Sequence, residues 1–295
     1  MGRLAPGEGP LFAGLRVMLI AAHPDDETLF ASSQLRACRT LCIVHTTDGV
    51  TTRRAARNRG FRNRAAYAKA RRQELRAALA AGGIAAGDVC LGYRDQTVSY
   101  RMRETAVRLR DIFRITQPDV ILTHGYEGGH LDHDATCYAV HQAVRSLAKP
   151  IPIWEFAGYH VQQGQVGRNA FPADGRSSVT SIELNSTQRE AKRKMLDCFV
   201  TQRDVVANFL LSFEAFRPAP AYDFSQPPFA GKLGYEISPD NSEGKFWRSV
   251  ACAEAKFLGD DGYRSNGSRY AKLRLWMSFK ISRLRRRFAF IQNFV

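Results

Sequence analysis

Five short apolar runs, each bounded by turn residues, set the limits on what this chain can fold into. They are RVMLIAAH at 16–23, RTLCIVHTTDG at 39–49, DVCLGY at 88–93, PDVILTHG at 118–125 and PIWEFAGYH at 152–160. Near-continuous apolar character over strand length marks strands covered on both faces. Segments of helical pattern separate them. In 63–82, Ala66, Ala70, Leu75, Ala78 and Leu79 fall near helical spacing and AGG ends the run. In 101–116, Val107, Leu109, Ile112 and Phe113 form one face, and 134–148 has the same character. Strands joined by helices of this length require right-handed crossovers and a parallel sheet. The expected fold class is therefore α/β, a Rossmann-like open, mostly parallel sheet sandwiched by helices. No G-x-G-x-x-G follows the first strand, so a dinucleotide is not expected.

Past residue 160 the pattern weakens to one clear helix within 186–213 and a Pro/Gly/aromatic-rich connection at 217–241. We read 1–295 as a single domain with a core of about 15–205 and an elaboration over 206–295. The six cysteines form no C-x-x-C pair and read as buried thiols of a reducing, cytoplasmic compartment. The apolar run 17–22 leads into acidic residues, which suits a strand and not a signal peptide. No run approaches the roughly 20 apolar residues that a membrane span needs. The net charge of +15 favours an anionic partner. It is concentrated in nine basic residues at 53–72 and seven at 272–287.

In an open parallel sheet, ligands bind beyond the carboxyl ends of the strands. Two polar clusters lie at such ends: HPDDE at 23–27 and HGYEGGHLDHD at 124–134. His23 and Asp26 are three apart, as are His130 and His133, so each pair shares a face at a helix start. Taken alone, Asp25-Asp26 reads as a helix cap and HLDHD as a solvated loop. Together in one domain they read as a site. A His/His/Asp set suits Zn²⁺ with one position left for water, the arrangement of a catalytic centre, and a neighbouring carboxylate can serve as base. His124 is a candidate for outer support of such a site. His45, His141 and His160 read as structural, Asp48 as closing a turn, and Glu27 as either a dipole partner or support for the site.

These residues resemble the PIG-L/LmbE-like N-acetylglucosaminyl deacetylases. The likeness rests on AAHPDDE at 21–27 and HLDH at 130–133. Lesser matches are ARRQE at 70–74, LGYRDQ at 91–96 and KMLDCFVTQ at 194–202, so order and spacing agree over about 15–205. The resemblance implies a zinc-dependent hydrolase that removes an acetyl group from an N-acetyl amino-sugar conjugate by attack of metal-activated water. It implies one Zn²⁺ held by His23, Asp26 and His133, with Asp25 as general base. His130 would stabilise the oxyanion or act as acid, oriented by Asp132, and Arg71 and Asp95 would touch the sugar. Arg94 departs from the small or apolar residue often found there. With the basic stretch 53–64, also expected as loop, it favours a substrate with an anionic part.

Two other accounts compete. A metal-dependent phosphoesterase would use similar ligands but commonly two metals. A binding protein would use the basic tail at 270–295 as an amphipathic helix on an acidic membrane, or on nucleic acid. No nucleic-acid module signature accompanies the charge, so nucleic acid is not expected. A terminal helix packed on the domain with a solvated basic face is the simpler account of the tail.

Overall fold

The computed structural model describes residues 2–3, 10–173, 175, 177–209 and 212–237. Its strands are β1 (Gly2–Arg3), β2 (Arg16–Ala21), β3 (Thr40–Thr47), β4 (Gly87–Tyr93), β5 (Val120–His124), β6 (Ile153–Phe156), β7 (Tyr159–Gln162), β8 (Gln165–Arg168), β9 (Thr180–Glu183) and β10 (Phe213–Pro218). The helices are α1 (Asp26–Leu35), α2 (Arg53–Asn58), α3 (Arg64–Ala81), α4 (Met102–Thr116), α5 (Leu131–Arg145), α6 (Ser186–Leu196), α7 (Arg203–Val206) and α8 (Gly234–Ile237).

Eight strands form one sheet in the order β1-β9-β10-β6-β5-β2-β3-β4. From β4 to β6 all neighbours are parallel, whereas β10 runs antiparallel to both β6 and β9. Alternation along β2 sends Val17 and Leu19 to one face, with α1, α3 and α6, and Met18 and Ile20 to the other, with α4 and α5. This two-sided burial is why the strand sequences lack polar alternation. The chain leaves β2 towards β3 on one side, and β5 flanks β2 on the other. The switch point therefore lies between β2 and β5, and their carboxyl ends open a crevice there.

The expected α/β class is the one observed, with four differences in detail. The fifth run divides at Ala157-Gly158. There Gly158 N–H donates to the Glu127 carboxylate and Gly158 C=O accepts from Asn169 N–H, so the chain turns out of the sheet into the β7–β8 hairpin. The helix expected from 134 starts at Leu131, because the His130 side chain caps it. The basic stretch after Thr52 is helical and not loop. Thr52 Oγ1 accepts from Ala55 N–H, and Ala56 is buried beneath α2. Finally, β10 is part of the main sheet, although it lies past the expected core. The basic tail at 270–295 falls outside the described residues.

A buried ionic cluster fastens β10 to the core. Lys192 of α6 donates to Glu214 Oε1 at 2.8 Å and to Leu29 C=O at 2.7 Å. Glu214 also accepts from the Ser32 and Ser33 hydroxyls and from Ser33 N–H. Both ionic side chains are essentially inaccessible. Removing one partner strands the other charge in the interior. Glu214→Ala should therefore cost about 3–5 kcal/mol in urea unfolding, and Lys192→Met combined with Glu214→Gln should recover most of that loss.

Candidate metal centre and active site

The site is built where β2 and β5 end side by side. Ile20 pairs with Thr123, so the segment after Ala21 emerges beside His124. His124 Nε2 accepts from Ala22 N–H at 3.0 Å and locks the two strand ends together. From the β2 end come His23, Asp25 and Asp26. Asp25 occupies the N-cap position of α1, yet its side chain makes no capping bond. From the β5 end a glycine-bearing loop leads to α5. Gly128 has φ +69°, and a Cβ on Gly129 would lie 1.8 Å from Tyr159 C=O, so only glycine fits between this loop and β7. Asp134 accepts from Glu127 N–H, Gly128 N–H and Tyr235 O–H, which folds the loop back over the start of α5.

Three of the residues expected as ligands converge. His23 Nδ1 lies 3.4 Å from Asp26 Oδ2, His133 Nε2 lies 3.4 Å from Asp26 Oδ1, and the two ring nitrogens are 3.3 Å apart. Tetrahedral zinc with bonds of about 2.0–2.1 Å requires ligand separations of about 3.3–3.4 Å. The two ring nitrogens meet that separation, and each meets it with a different oxygen of Asp26. His23 N–H donates to Asp26 Oδ2 at 2.7 Å and holds the carboxylate in place. Burial opposes the charge on Asp26, but His133, His23 and His124 hold its carboxyl well below the usual range, in the anionic form a metal needs.

Outside this set, Asp95 Oδ1 faces His23 Nε2 at 3.2 Å. A carboxylate on the far nitrogen of a ligating histidine fixes its tautomer and ring orientation. His124 stacks on His133 with ring centroids 3.9 Å apart and an interplanar angle of 15°. Burial and the neighbouring His133 push it down to about 3, so it is a neutral ring. His130 accepts Asp132 N–H on Nδ1 at 3.1 Å, which leaves its proton on Nε2. Burial, with His23 and His133 nearby, pushes its imidazole well below the ordinary value.

Three residues make contacts that the motifs did not name. Asp132 does not orient His130 through its carboxylate. That group accepts from Gln96 N–H at 2.6 Å and Val98 N–H at 3.0 Å, and so pins the turn that carries Asp95. Asp95 contacts His23, a partner the motif reading did not give it. Arg71 is 3% exposed and donates to Asp25 Oδ2, with its other bonds to backbone carbonyls. Glu27 pairs with His45 at 3.0 Å, both fully buried, and ties α1 to β3. The Glu27–His45 pair joins residues 18 apart, and no local spacing announces it.

The lesser motifs also find partners. Glu74 accepts from Thr201 N–H at 2.8 Å and Thr201 O–H at 2.7 Å, and Gln202 Nε2 donates to the Tyr67 hydroxyl. A recess of about 270 Å³ lies between this segment, α2 and Asp95, lined also by Gly49, Asn58 and Arg59. Asp95 connects it to the ligand set. A larger groove of about 570 Å³ between the end of α3 and the start of α6 shares no residue with this chemistry.

Comparison with known proteins agrees with the geometry. Residues 18–144 match the model of the PIG-L family, GlcNAc-PI de-N-acetylase. No curated protein sequence matches significantly. Among solved structures, the A40926 pseudoaglycone deacetylase Dbv21 superposes with a TM-score of 0.53 at 18% identity, covering 70% of this chain and 99% of its own. The zinc-inhibited form of teicoplanin deacetylase Orf2 gives 0.52 at 16% over the same shares. A deacetylase–teicoplanin complex gives 0.53 at 17%, covering 70% of this chain and 100% of its own. These likenesses are of fold. The family match spans both histidine–aspartate clusters, so over residues 18–144 the chain is similar to the PIG-L/LmbE-like deacetylases.

Proposed function

We propose that this protein is a zinc-dependent N-deacetylase that hydrolyses the acetamide of an N-acetylated amino sugar. The observation that carries the reading is the convergence of His23, Asp26 and His133, whose ring nitrogens lie 3.3 Å apart and each 3.4 Å from a different oxygen of the Asp26 carboxylate, with Asp25 next to it in the chain. One Zn²⁺ per chain, bound there, would supply Lewis acidity to a water or a carbonyl oxygen. Asp25 then acts as the general base. Its Oδ2 is held by Arg71, while Oδ1 has no hydrogen-bond partner among the described residues and is free to take a proton from water. Burial pushes its carboxyl up to about 6 against the pull of Arg71, close to the range suited to proton transfer near neutral pH.

His130 donates from Nε2 to the oxygen that gains charge as water adds to the carbonyl carbon. Its Nδ1 is already an acceptor, so the neutral ring offers its proton in one direction only. Asp25 then returns the proton it took from water to the departing amine, which completes acetate release. Asp95 holds His23 in the tautomer that presents Nδ1 to the metal, and Asp132 holds the Asp95 turn. The sugar occupies the crevice next to the recess beside Asp95. Arg53, Arg54 and Arg57 on α2 are exposed and lack ion-pair partners among the described residues, which suits an anionic part of the substrate. No helix among the described residues is long and apolar enough to cross a membrane.

Asp25→Asn should retain zinc by elemental analysis while kcat for acetate release falls roughly 10²–10⁴-fold; full activity in this variant would sink the mechanism. His133→Ala should lose both bound zinc and activity. Dialysis against a chelator should abolish acetate release from N-acetylated amino sugars, and one equivalent of Zn²⁺ should restore it. A requirement for two ions per chain would favour phosphoester chemistry instead.

A further inference from the structure

One stripe of α5 serves two places. His133 leaves it for the metal centre, while Cys137 and His141, one and two turns further on, leave it towards β6. Alternation along β6 sends Trp154 and Phe156 to the face of α1, α3 and α6, so Glu155 points to the other face, beside α5. Glu155 Oε1 lies 3.8 Å from Cys137 Sγ and 3.7 Å from His141 Nε2. The second gap is too long for a hydrogen bond, and His141 Nε2 is buried without a hydrogen-bond partner. The three donor atoms all lie within 4.8 Å of one another. Cys137 and Glu155 are inaccessible to solvent, and the His141 side chain keeps an edge 14% exposed. The other carboxylate oxygen is occupied: Oε2 accepts from Arg217 Nε at 3.0 Å and from the Tyr222 hydroxyl at 2.7 Å. Glu155 is thus held from one side, with Oε1 turned to a thiol and an imidazole.

We propose that Cys137, His141 and Glu155 form a second metal site, which takes a structural Zn²⁺ through a thiolate, an imidazole Nε2 and a carboxylate oxygen. Tetrahedral zinc sets sulfur, nitrogen and oxygen ligands about 3.3–3.5 Å apart. The gaps of 3.7 and 3.8 Å at Glu155 close on an ion with shifts of a few tenths of an ångström. Arg217 and Tyr222 on Oε2 are the outer partners that a ligating carboxylate needs. The ion gives the orphaned imidazole nitrogen its partner and releases the thiol proton to solvent. Arg217 offsets part of the carboxylate charge, so the site binds more weakly than the centre at His23, Asp26 and His133. It fills second and empties when free metal is removed. Its role is to tie α5 to β6 and to the chain after β10, whose Tyr222 and Phe224 rings pack on His141 at 5.3 and 5.4 Å. It shares no ligand with the first centre and stands apart from the deacetylase reading.

The test is a titration of the metal-free, reduced chain with Co²⁺, followed by absorption. Thiolate–Co²⁺ bonds give an intense near-ultraviolet charge-transfer band that a histidine–carboxylate set lacks. The band should grow with the second equivalent, and Zn²⁺, which outcompetes Co²⁺ at the same ligands, should bleach it. Cys137→Ser should abolish it, and His141→Gln should weaken Co²⁺ binding at least about tenfold. His133→Ala, which removes the first centre, should keep it. Zn²⁺ beyond the first equivalent should raise the Tm of wild type and leave that of Cys137→Ser unchanged. Acetate release with one equivalent of Zn²⁺ should be the same in both. No band in wild type, a band that survives Cys137→Ser, or its loss in folded His133→Ala would overturn the site. Should Cys137→Ser fail to fold, His141→Gln decides, since its side chain is partly exposed: unchanged Co²⁺ affinity overturns the site. Acetate release that rises with the band, or a Tm that ignores the second ion, would overturn the structural role. A chain that binds the second ion but releases no acetate would overturn the deacetylase reading and support this site.

Discussion

The parallel pairing of β2 with β5 is the constraint on which the rest depends. With Ile20 opposite Thr123, two loops about a hundred residues apart in sequence leave the sheet side by side. The Ala22 N–H bond to His124 closes the remaining gap. A slip of one residue in this pairing would turn every side chain to the other face. The alternation of Val17 and Leu19 against Met18 and Ile20 into two different cores prevents that slip. The packing of the sheet thus supplies the precision that ligand separations of 3.3–3.4 Å require.

Around this junction the chain places charges in the interior only with partners. Asp25 faces Arg71, Glu27 faces His45, and Glu214 faces Lys192. Glu155 accepts from Arg217 and from the Tyr222 hydroxyl. An isolated buried charge would be prohibitively costly, whereas a broken pair is strongly destabilising, so each pair commits its elements to one arrangement. Three of these pairs join α1 or β10 to another element. Two histidines and Asp26 converge instead on one another, and the charge a metal would bring is the counterpart that such a cluster suits.

The helix starts show how one local signal serves different ends. His130 spends its side chain as the cap of α5 and thereby fixes which ring nitrogen carries the proton. Asp25 stands at the equivalent place on α1 and spends nothing on the helix. Asp132, expected beside His130, instead reaches across to the turn at Gln96 and Val98. Asp25 and His130 hold the same N-cap position, and Asp132 lies inside the first turn of α5. What separates them is whether another element offers a better partner within reach.

Much of the fold was legible because its signals are local. Apolar runs of strand length, helical spacing of Leu75, Ala78 and Leu79, and turn residues at the strand ends are read within ten residues or so. The HPDDE and HLDH spacings put His23 with Asp26, and His130 with His133, on shared faces without any knowledge of the sheet. The partners of Arg71, Asp95 and Asp132 were not legible, because each lies on a different element brought close only by packing. The same holds for β10, whose place in the sheet depends on pairing with β6 and β9 and not on its own composition. The sequence by itself determined the elements and the residue types that meet at the crevice. Tertiary structure alone decided which atom faces which, since a hydrogen bond is made across distances of about 3 Å and chain neighbours do not set them.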